Sequence, residues 1–420
     1  MKKNRAAAVV LLFLCAAGRL AGQSYRTFQA DLDEIRSATG FRLGPLKILP
    51  VFRLSDVGYD SNVYYRDREE AAVSDYTART SLDVKAAWLL GNSIILSATE
   101  DPEYVYYLHE KELRTFANSY GFGSRLFLFR RLALSWKFRS ESHLRRAYSE
   151  FEQQVKDLQK GFSAALFFET PRGTAIGLSG SSDDFSYVDV GLAEPGVSSP
   201  RALDRRERSA AFEFYYRVFS QSSLFCKAGV SAYDFKDPGF AWRNARSFQA
   251  TAGIRFPVLG AARGTLAVGY KKFSPRAEGR QEFSGLVADT DVALRTGRVA
   301  LHLAYTRDNY FSYLETAYYY IEDRFRFGLN FYLLPFLRLE GACQLGAWKY
   351  PDTQEVWFQG ETTLVADRRD TNRVLSAGLA IRIAGGAGLS FTYNFYRRRS
   401  NAPGYDIDRN FMGAALTYDF

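Results

Sequence analysis

From Leu46 to Phe420, segment after segment of this chain places apolar side chains at every second position. A period of two with one apolar face marks a β-strand, and a chain built of such strands must find a partner for every strand edge. The last stretch shows the constraint most sharply. Met412, Ala414, Leu416, Tyr418 and Phe420 alternate with Gly413, Ala415, Thr417 and Asp419, and the chain stops on an aromatic ring. As the final strand of a soluble sheet this would be an exposed edge, which folds avoid. In a barrel closed within lipid it has a neighbour on both sides, and its ring sits at the membrane interface.

Composition agrees with a barrel. Mean hydropathy is only −0.24 although 47% of the 420 residues are hydrophobic and 16% aromatic. That combination arises when only alternate residues face lipid. No apolar run beyond the first segment is long enough for a membrane helix. The net charge is +9, and Lys supplies 13 of the 55 basic residues, so arginine dominates. Arginine offers a planar fork to carboxylate, phosphate or sulfate. Nucleic acid, the usual partner of such a charge, does not fit an exported barrel.

Residues 1–22 read as a signal peptide: the basic Met1–Arg5 precedes an apolar run from Ala6 to Ala17. Residues 23–45 form a separate periplasmic segment. Phe28, Leu32 and Ile35 share one helical face and Gly40 would end the helix, so a plug and a flexible lead-in are both open. Residues 46–420 form the barrel. Strands are expected at 46–56, 76–88, 93–107, 113–129, 131–146, 156–169, 174–188, 204–219, 222–235, 243–256, 262–274, 281–294, 298–311, 315–332, 336–350, 371–383, 387–399 and 408–420. That is an all-β, transmembrane, antiparallel barrel of about eighteen strands, with sixteen also compatible. Tight turns such as Leu90-Gly91-Asn92 and Gly385-Gly386 alternate with long polar loops at 57–75, 189–203 and 351–370. This asymmetry places both termini in the periplasm.

If one face of each strand meets lipid, the other lines the lumen. On that reading the inner wall carries Arg53, Lys85, Arg125, Lys137, Arg139, Arg217, Lys227, Arg255, Lys271, Arg298, Arg324, Arg326, Arg338, Arg382 and Arg398. Fewer acids join them: Asp83, Glu213, Asp289, Asp291, Glu322 and Glu340. A wet lumen with this bias would attract anions and repel cations. Charge ladders that merely hydrate and brace a barrel wall are the plainer reading.

Catalytic and metal signals are weak. His109, His143 and His302 are far apart and lack ligand spacing. Ser142 and His143 are strand neighbours and so point to opposite faces. Ala384–Gly388 lacks the Lys-Ser/Thr of a phosphate loop and reads as a turn. Asp183-Asp184 reads as solvated loop acids rather than a calcium site. Cys226 and Cys343 lie on distant lipid-facing positions and are not expected to bridge. No enzyme activity, cofactor or metal is expected.

Two passages carry a family resemblance: Gly58-Tyr-Asp-Ser-Asn-Val-Tyr-Tyr65 with Ser74-Asp75-Tyr76, and the ending from Arg399-Ser-Asn401 through Asp408-Arg-Asn-Phe411 to Phe420. They resemble the β-barrel porin family (BBP2-like) associated with exopolysaccharide export. The terminal strand also resembles the signal by which outer-membrane barrels are recognised by their assembly machinery. The resemblance implies an outer-membrane barrel of this size and a polysaccharide exit route, with no catalytic residues to carry over. Asp60 and Asn62 within the motif can equally serve as turn formers where the first strand ends.

The expectation is therefore a passive outer-membrane conduit for exported acidic polysaccharide. Its expected partners are membrane lipid, the assembly machinery, the polysaccharide and periplasmic export components. Two alternatives stay open, as does the oligomeric state: an uptake porin for small anionic solutes, and a structural or adhesive barrel with a closed lumen.

Overall fold

Eighteen strands wind into one closed antiparallel barrel in a computed structural model that describes residues 27–38, 40–145, 154–190, 200–218, 222–259, 262–312, 314 and 317–420. The expected signal peptide lies outside these residues, as do residues 191–199 of the expected loop 189–203. The described residues begin with helix α1 (Phe28–Ser37) and a three-residue strand β1 (Phe41–Leu43) that pairs back onto β2. The following strands are β2 (Leu46–Asp60), β3 (Asp75–Leu90), β4 (Ile94–Tyr107), β5 (Thr115–Leu128), β6 (Leu132–Arg145), β7 (Gln154–Glu169) and β8 (Ala175–Val190). Next come β9 (Arg205–Arg217), β10 (Ser223–Phe235), β11 (Ala245–Leu259), β12 (Ala262–Pro275), β13 (Phe283–Thr296) and β14 (Val299–Phe311). The series ends with β15 (Tyr319–Leu334), β16 (Leu337–Lys349), β17 (Gln354–Phe358), β18 (Glu361–Val365), β19 (Arg369–Arg382), β20 (Ala387–Ser400) and β21 (Ile407–Asp419).

Each strand from β2 to β16 pairs with its sequence neighbour, β16 passes to β19, and β21 returns to β2 to close the ring. Every expected strand is present, its ends within four residues of the expected ones. Two ends differ by four residues, the start of β15 and the end of β2, and the second has a physical cause. Between Leu54 and Val57 the register of β2 shifts, with Asp56 at φ +52°. The added residue of a bulge exchanges the two faces, so Val57 and Tyr59 continue the outward series that Phe52 and Leu54 began. The alternation breaks at that point, although the strand runs on to Asp60. A second departure is the hairpin β17–β18, which forms its own two-stranded sheet inside the expected loop 351–370.

The outer face is read from exposure. Leu224, Val230, Phe248, Val268, Leu286, Leu375 and Met412 are all large, apolar and exposed. Residues directly opposite across a strand pair share a face. The register therefore carries the outward assignment round the ring, and places Met412, Ala414, Leu416 and Tyr418 outward on β21. Cys226 and Cys343 are free thiols on the same face, opposite Ala252 and Leu375. The short turns and the barrel ends of β2 and β21 share one end, which in bacterial outer-membrane barrels faces the periplasm.

Candidate functional site

The lumen is the candidate site, and three sets of residues shape it. At the short-turn end lies α1. Thr27 caps it, its hydroxyl accepting from the Ala30 amide at 3.4 Å. Phe28 and Leu32 are fully buried against the inward residues Ile95, Leu89 and Phe127, and the Phe28 ring stacks on Phe127 at 5.0 Å. The Phe28 amide donates to Glu169 at 3.2 Å, and Asp31 pairs with Arg125. Lys47 donates to the carbonyls of Ile35, Arg36 and Ala38 at 2.6, 2.5 and 3.0 Å. A cation at this end complements the negative pole of the helix. The helix therefore leans on the wall from β2 to β7 rather than hanging as a loose lead-in.

At the long-loop end, side chains from β8 to β15 and their connections fill the interior. Arg243 is fully buried and donates to the carbonyls of Ser312 and Ala317 at 2.9 and 3.2 Å and to that of Leu314. Tyr318 donates to the carbonyls of Arg243 and Asn244 at 2.7 and 3.0 Å. These bonds tie residues 238–244 to residues 312–318 over an aromatic cluster of Tyr233, Phe273, Phe283 and Phe311. Arg205 stands over the Phe185 and Phe311 rings at 4.8 and 5.0 Å.

Between these ends runs the charged wall. Arg53 and Lys85 share Asp83 at 3.7 and 3.2 Å, Arg139 meets Asp183 at 2.8 Å, and Lys227 meets Glu213 at 3.1 Å. Arg324 pairs with Glu322 at 2.8 Å and Arg338 with Glu340. Gly161 makes room for one of these pairs, since a Cβ there would stand 2.2 Å from Asp183 Oδ1. Arg255 lies inward opposite Ser223 and Thr265. Arg217 lies beside Gly173 at the short-turn end. Lys137, Arg326 and Arg382 are inward and have no ion pair among the described residues.

Three expected lumenal positions prove different. Arg298 sits in the turn between β13 and β14, donating to the Leu333 carbonyl at 3.5 Å, because β14 begins one residue later than expected. Lys271 is inward but only 3% exposed, paired with Asp308 at 2.7 Å beneath the inward-folded connections. Arg398 is wholly buried. With Arg368 it brackets Asp370, at 2.5 and 2.8 Å, and Ser400 donates to the same carboxylate at 2.5 Å. Lys271 and Arg398 brace the wall and do not face a solute.

The inner wall also holds groups not singled out from sequence. Arg263 and Arg295 lie inward near the short-turn ends of β12 and β13 and carry no ion pair among the described residues. Arg295 and Arg338 flank the Tyr332 ring at 5.1 and 5.9 Å. Arg263, Arg295, Arg326 and Arg382 thus stand without an ion pair on the β12–β19 wall, across the ring from the wall that α1 covers, where Lys137 of β6 is the comparable cation. The inward positions of the alternation carry the signal for both residues. Additional acids, Asp183, Asp308 and Asp370, neutralise more of the wall than sequence suggested, and Asp101 lies inward opposite Ser119 without an ion pair among the described residues.

Other expected sites resolve simply. Asp183 and Asp184 point to opposite faces, Asp184 meeting Arg206 at 3.3 Å outside. Asp60 accepts from the Asn62 amide at 3.2 Å and pairs with Arg409 at 2.6 Å, while Asn62 bonds the Arg66 backbone. His109 meets Asp75 at 2.9 Å and His302 meets Asp291 at 3.1 Å. The side chain of His143 lies outside the described residues. Among the described residues no three His, Cys, Asp or Glu side chains gather to hold a metal.

A family model described as Putative beta-barrel porin 2 matches residues 36–420. Among solved structures, OpdK of Pseudomonas aeruginosa with vanillate is similar at 14% identity and TM-score 0.52, over 90% of this chain and 99% of that one. OccK2 (OpdF) of Pseudomonas aeruginosa in complex with glucuronate is similar at 14% identity and TM-score 0.50, over 91% and 99%. A BenF-like porin from Pseudomonas fluorescens Pf-5 is similar at 13% identity and TM-score 0.51, over 90% and 99%. At these identities the likeness is one of fold. No curated protein matches the sequence.

Proposed function

The chain belongs to the Putative beta-barrel porin 2 family and is an outer-membrane β-barrel porin, and from that premise we propose that it admits small carboxylate-bearing anions passively. The observation that carries this reading is the one-sided charge of the lumen. Arg263, Arg295, Arg326 and Arg382 on one wall have no carboxylate within ion-pair distance among the described residues, Asp289 and Asp291 acting on Arg326 and Asp291 on Arg263 only from further off, while most of the remaining inner-wall charge is paired. Paired charges hydrate a wall; unpaired arginines on one side give an anion a path of successive forks. Tyr332, held between Arg295 and Arg338, adds an apolar face on which a ring can slide.

Two of the similar porins were solved with vanillate and with glucuronate. Both are small ring compounds bearing a carboxylate, and they favour uptake of solutes of that kind. Polysaccharide export is supported by the sequence resemblance alone. The placement of α1 weighs against it, because a polymer leaving the periplasm would enter where the helix lies.

The test is the reversal potential of the refolded barrel in a planar bilayer under a salt gradient, repeated with added vanillate or glucuronate. Anion selectivity with concentration-dependent block by both carboxylates is expected. Cation selectivity would overturn the reading. Silence, both intact and after removal of residues 27–38, would identify a closed structural barrel instead.

A further inference from the structure

The outer wall of β16, β19 and β20 changes character abruptly toward the long-loop end. Leu345, Leu375, Phe391 and Tyr393 are exposed and apolar. One step further along the same outward series stand Lys349, Arg369, Arg373, Arg397 and Arg399. The register sets Lys349 directly opposite Arg369, and Arg373 directly opposite Arg397. Like charges facing each other across a strand pair destabilise it, and here that arrangement occurs twice along β19, with Thr371 at the outward position between the two pairs.

Carboxylates answer only one edge of the patch. Asp408 is shared by Arg397 and Arg399 at 2.9 and 2.7 Å, and Asp406 stands 3.7 Å from Arg399. Lys349, Arg369 and Arg373 have no ion pair among the described residues. Depth is set by Phe395, the last outward aromatic of β20 before the arginines, over whose ring the Arg397 guanidinium lies at 5.0 Å. The cations thus begin where the apolar band stops, at the end that faces away from the periplasm. That is the level of the outer-leaflet headgroups.

We propose that this face seats the phosphate of an outer-leaflet lipid. The unpaired forks of Arg369 and Arg373, with Lys349, take the phosphate oxygens. The acyl chains lie along Leu375, Phe391 and Tyr393 below. Inorganic phosphate shares the headgroup chemistry but makes no use of the apolar wall, and the lipid is the occupant for that reason. The bound anion answers Lys349, Arg369 and Arg373, while Asp408 already answers Arg397.

Native mass spectrometry of the full chain in detergent, titrated with bisphosphorylated lipid A, tests this. Wild-type protein should retain the lipid. Lys349→Gln/Arg369→Gln/Arg373→Gln should weaken retention at least about tenfold, roughly 1.4 kcal/mol. Arg130→Gln/Arg131→Gln/Arg172→Gln, which removes equal charge at the short-turn end, should not. Heat-modifiable mobility on gels reports whether each variant is folded. Should the triple variant misfold, Arg373→Gln alone should still weaken retention severalfold, with Arg373→Lys recovering part of it. Wild-type retention by the folded patch variant overturns the proposal. Equal loss in the control, or equal displacement by millimolar inorganic phosphate, overturns it too.

Discussion

Replacing Phe28 and Leu32 together by Ala should release α1 from the lumen. Both side chains are fully buried against the inner wall, and burying each contributes about 1.5–3 kcal/mol. The pair therefore contributes about 3–6 kcal/mol to docking. A ten-residue helix is marginal on its own in water, so intrinsic helicity does not make up the loss. The polar ties to Glu169, Arg125 and Lys47 remain, at about 0.5–1.5 kcal/mol each. At about 1.4 kcal/mol per factor of ten, the docking equilibrium constant falls by about two to four orders of magnitude. Two readings follow the change: trypsin cleavage at Arg36 or Arg42, and single-channel conductance. The variant should be cleaved quickly and conduct more, with its barrel still folded on heat-modified gels. Continued resistance to trypsin would show that the two side chains do not hold the helix. Cleavage with unchanged conductance would show that the helix does not obstruct the path.

Arg326→Gln with Arg382→Gln should lower the anion-to-cation permeability ratio without moving the urea midpoint of the folded barrel. Lys271→Gln should do the reverse, because the half-buried Asp308 would lose its ion-pair partner. Asp370→Asn strands Arg368 and Arg398 together in a buried site, and breaking such a network costs about 3–5 kcal/mol; proteolysis within residues 354–368 should accelerate. Gly161→Ala drives a methyl into the Arg139–Asp183 pair and should cost about 1–3 kcal/mol, read as a lowered urea midpoint. Cys226 should react with a lipid-soluble maleimide and resist a charged thiosulfonate in membranes, since its thiol faces outward.

Strand positions were legible because lipid on one side and water on the other impose the same two-residue period on eighteen segments. Where the period breaks, legibility ends. At Ser55–Asp56 the bulge exchanges the faces, so the last residues of β2 merge with the loop that follows. β17 and β18 are only five residues each and bury Val356 and Val365 against Ala402 and Tyr405 rather than turning a face to lipid, so their pairing was hidden. The inward face of Lys271 and Arg398 could be read locally; their burial could not, since it depends on Asp308, Asp370 and Arg368 and on loops returning from distant sequence. The charge balance of the lumen was overestimated for a related reason. Asp101 and Asp183 occupy inward positions of the same alternation, and Asp183 lies within the expected strand 174–188, where its alternation rather than its acidic neighbour Asp184 carries the signal. The arginines on the outer face of β19 and β20 were equally visible in the alternation, beside Leu375 and Phe395.

The seam between β2 and β21 sets an order of events. Asp60 and Arg409, which bond across it, are 349 residues apart, so bringing them together costs about 5 kcal/mol of chain entropy beyond a constant. No earlier pairing shortens that span to a turn unless the intervening strands are already in place. Until then the molecule is an open sheet whose first and last strands are both unpaired edges. The Asp60–Arg409 pair thus acts as a latch that engages only after the rest of the wall exists. A substitution at the latch should show itself less in the endurance of finished barrels than in how many chains ever close.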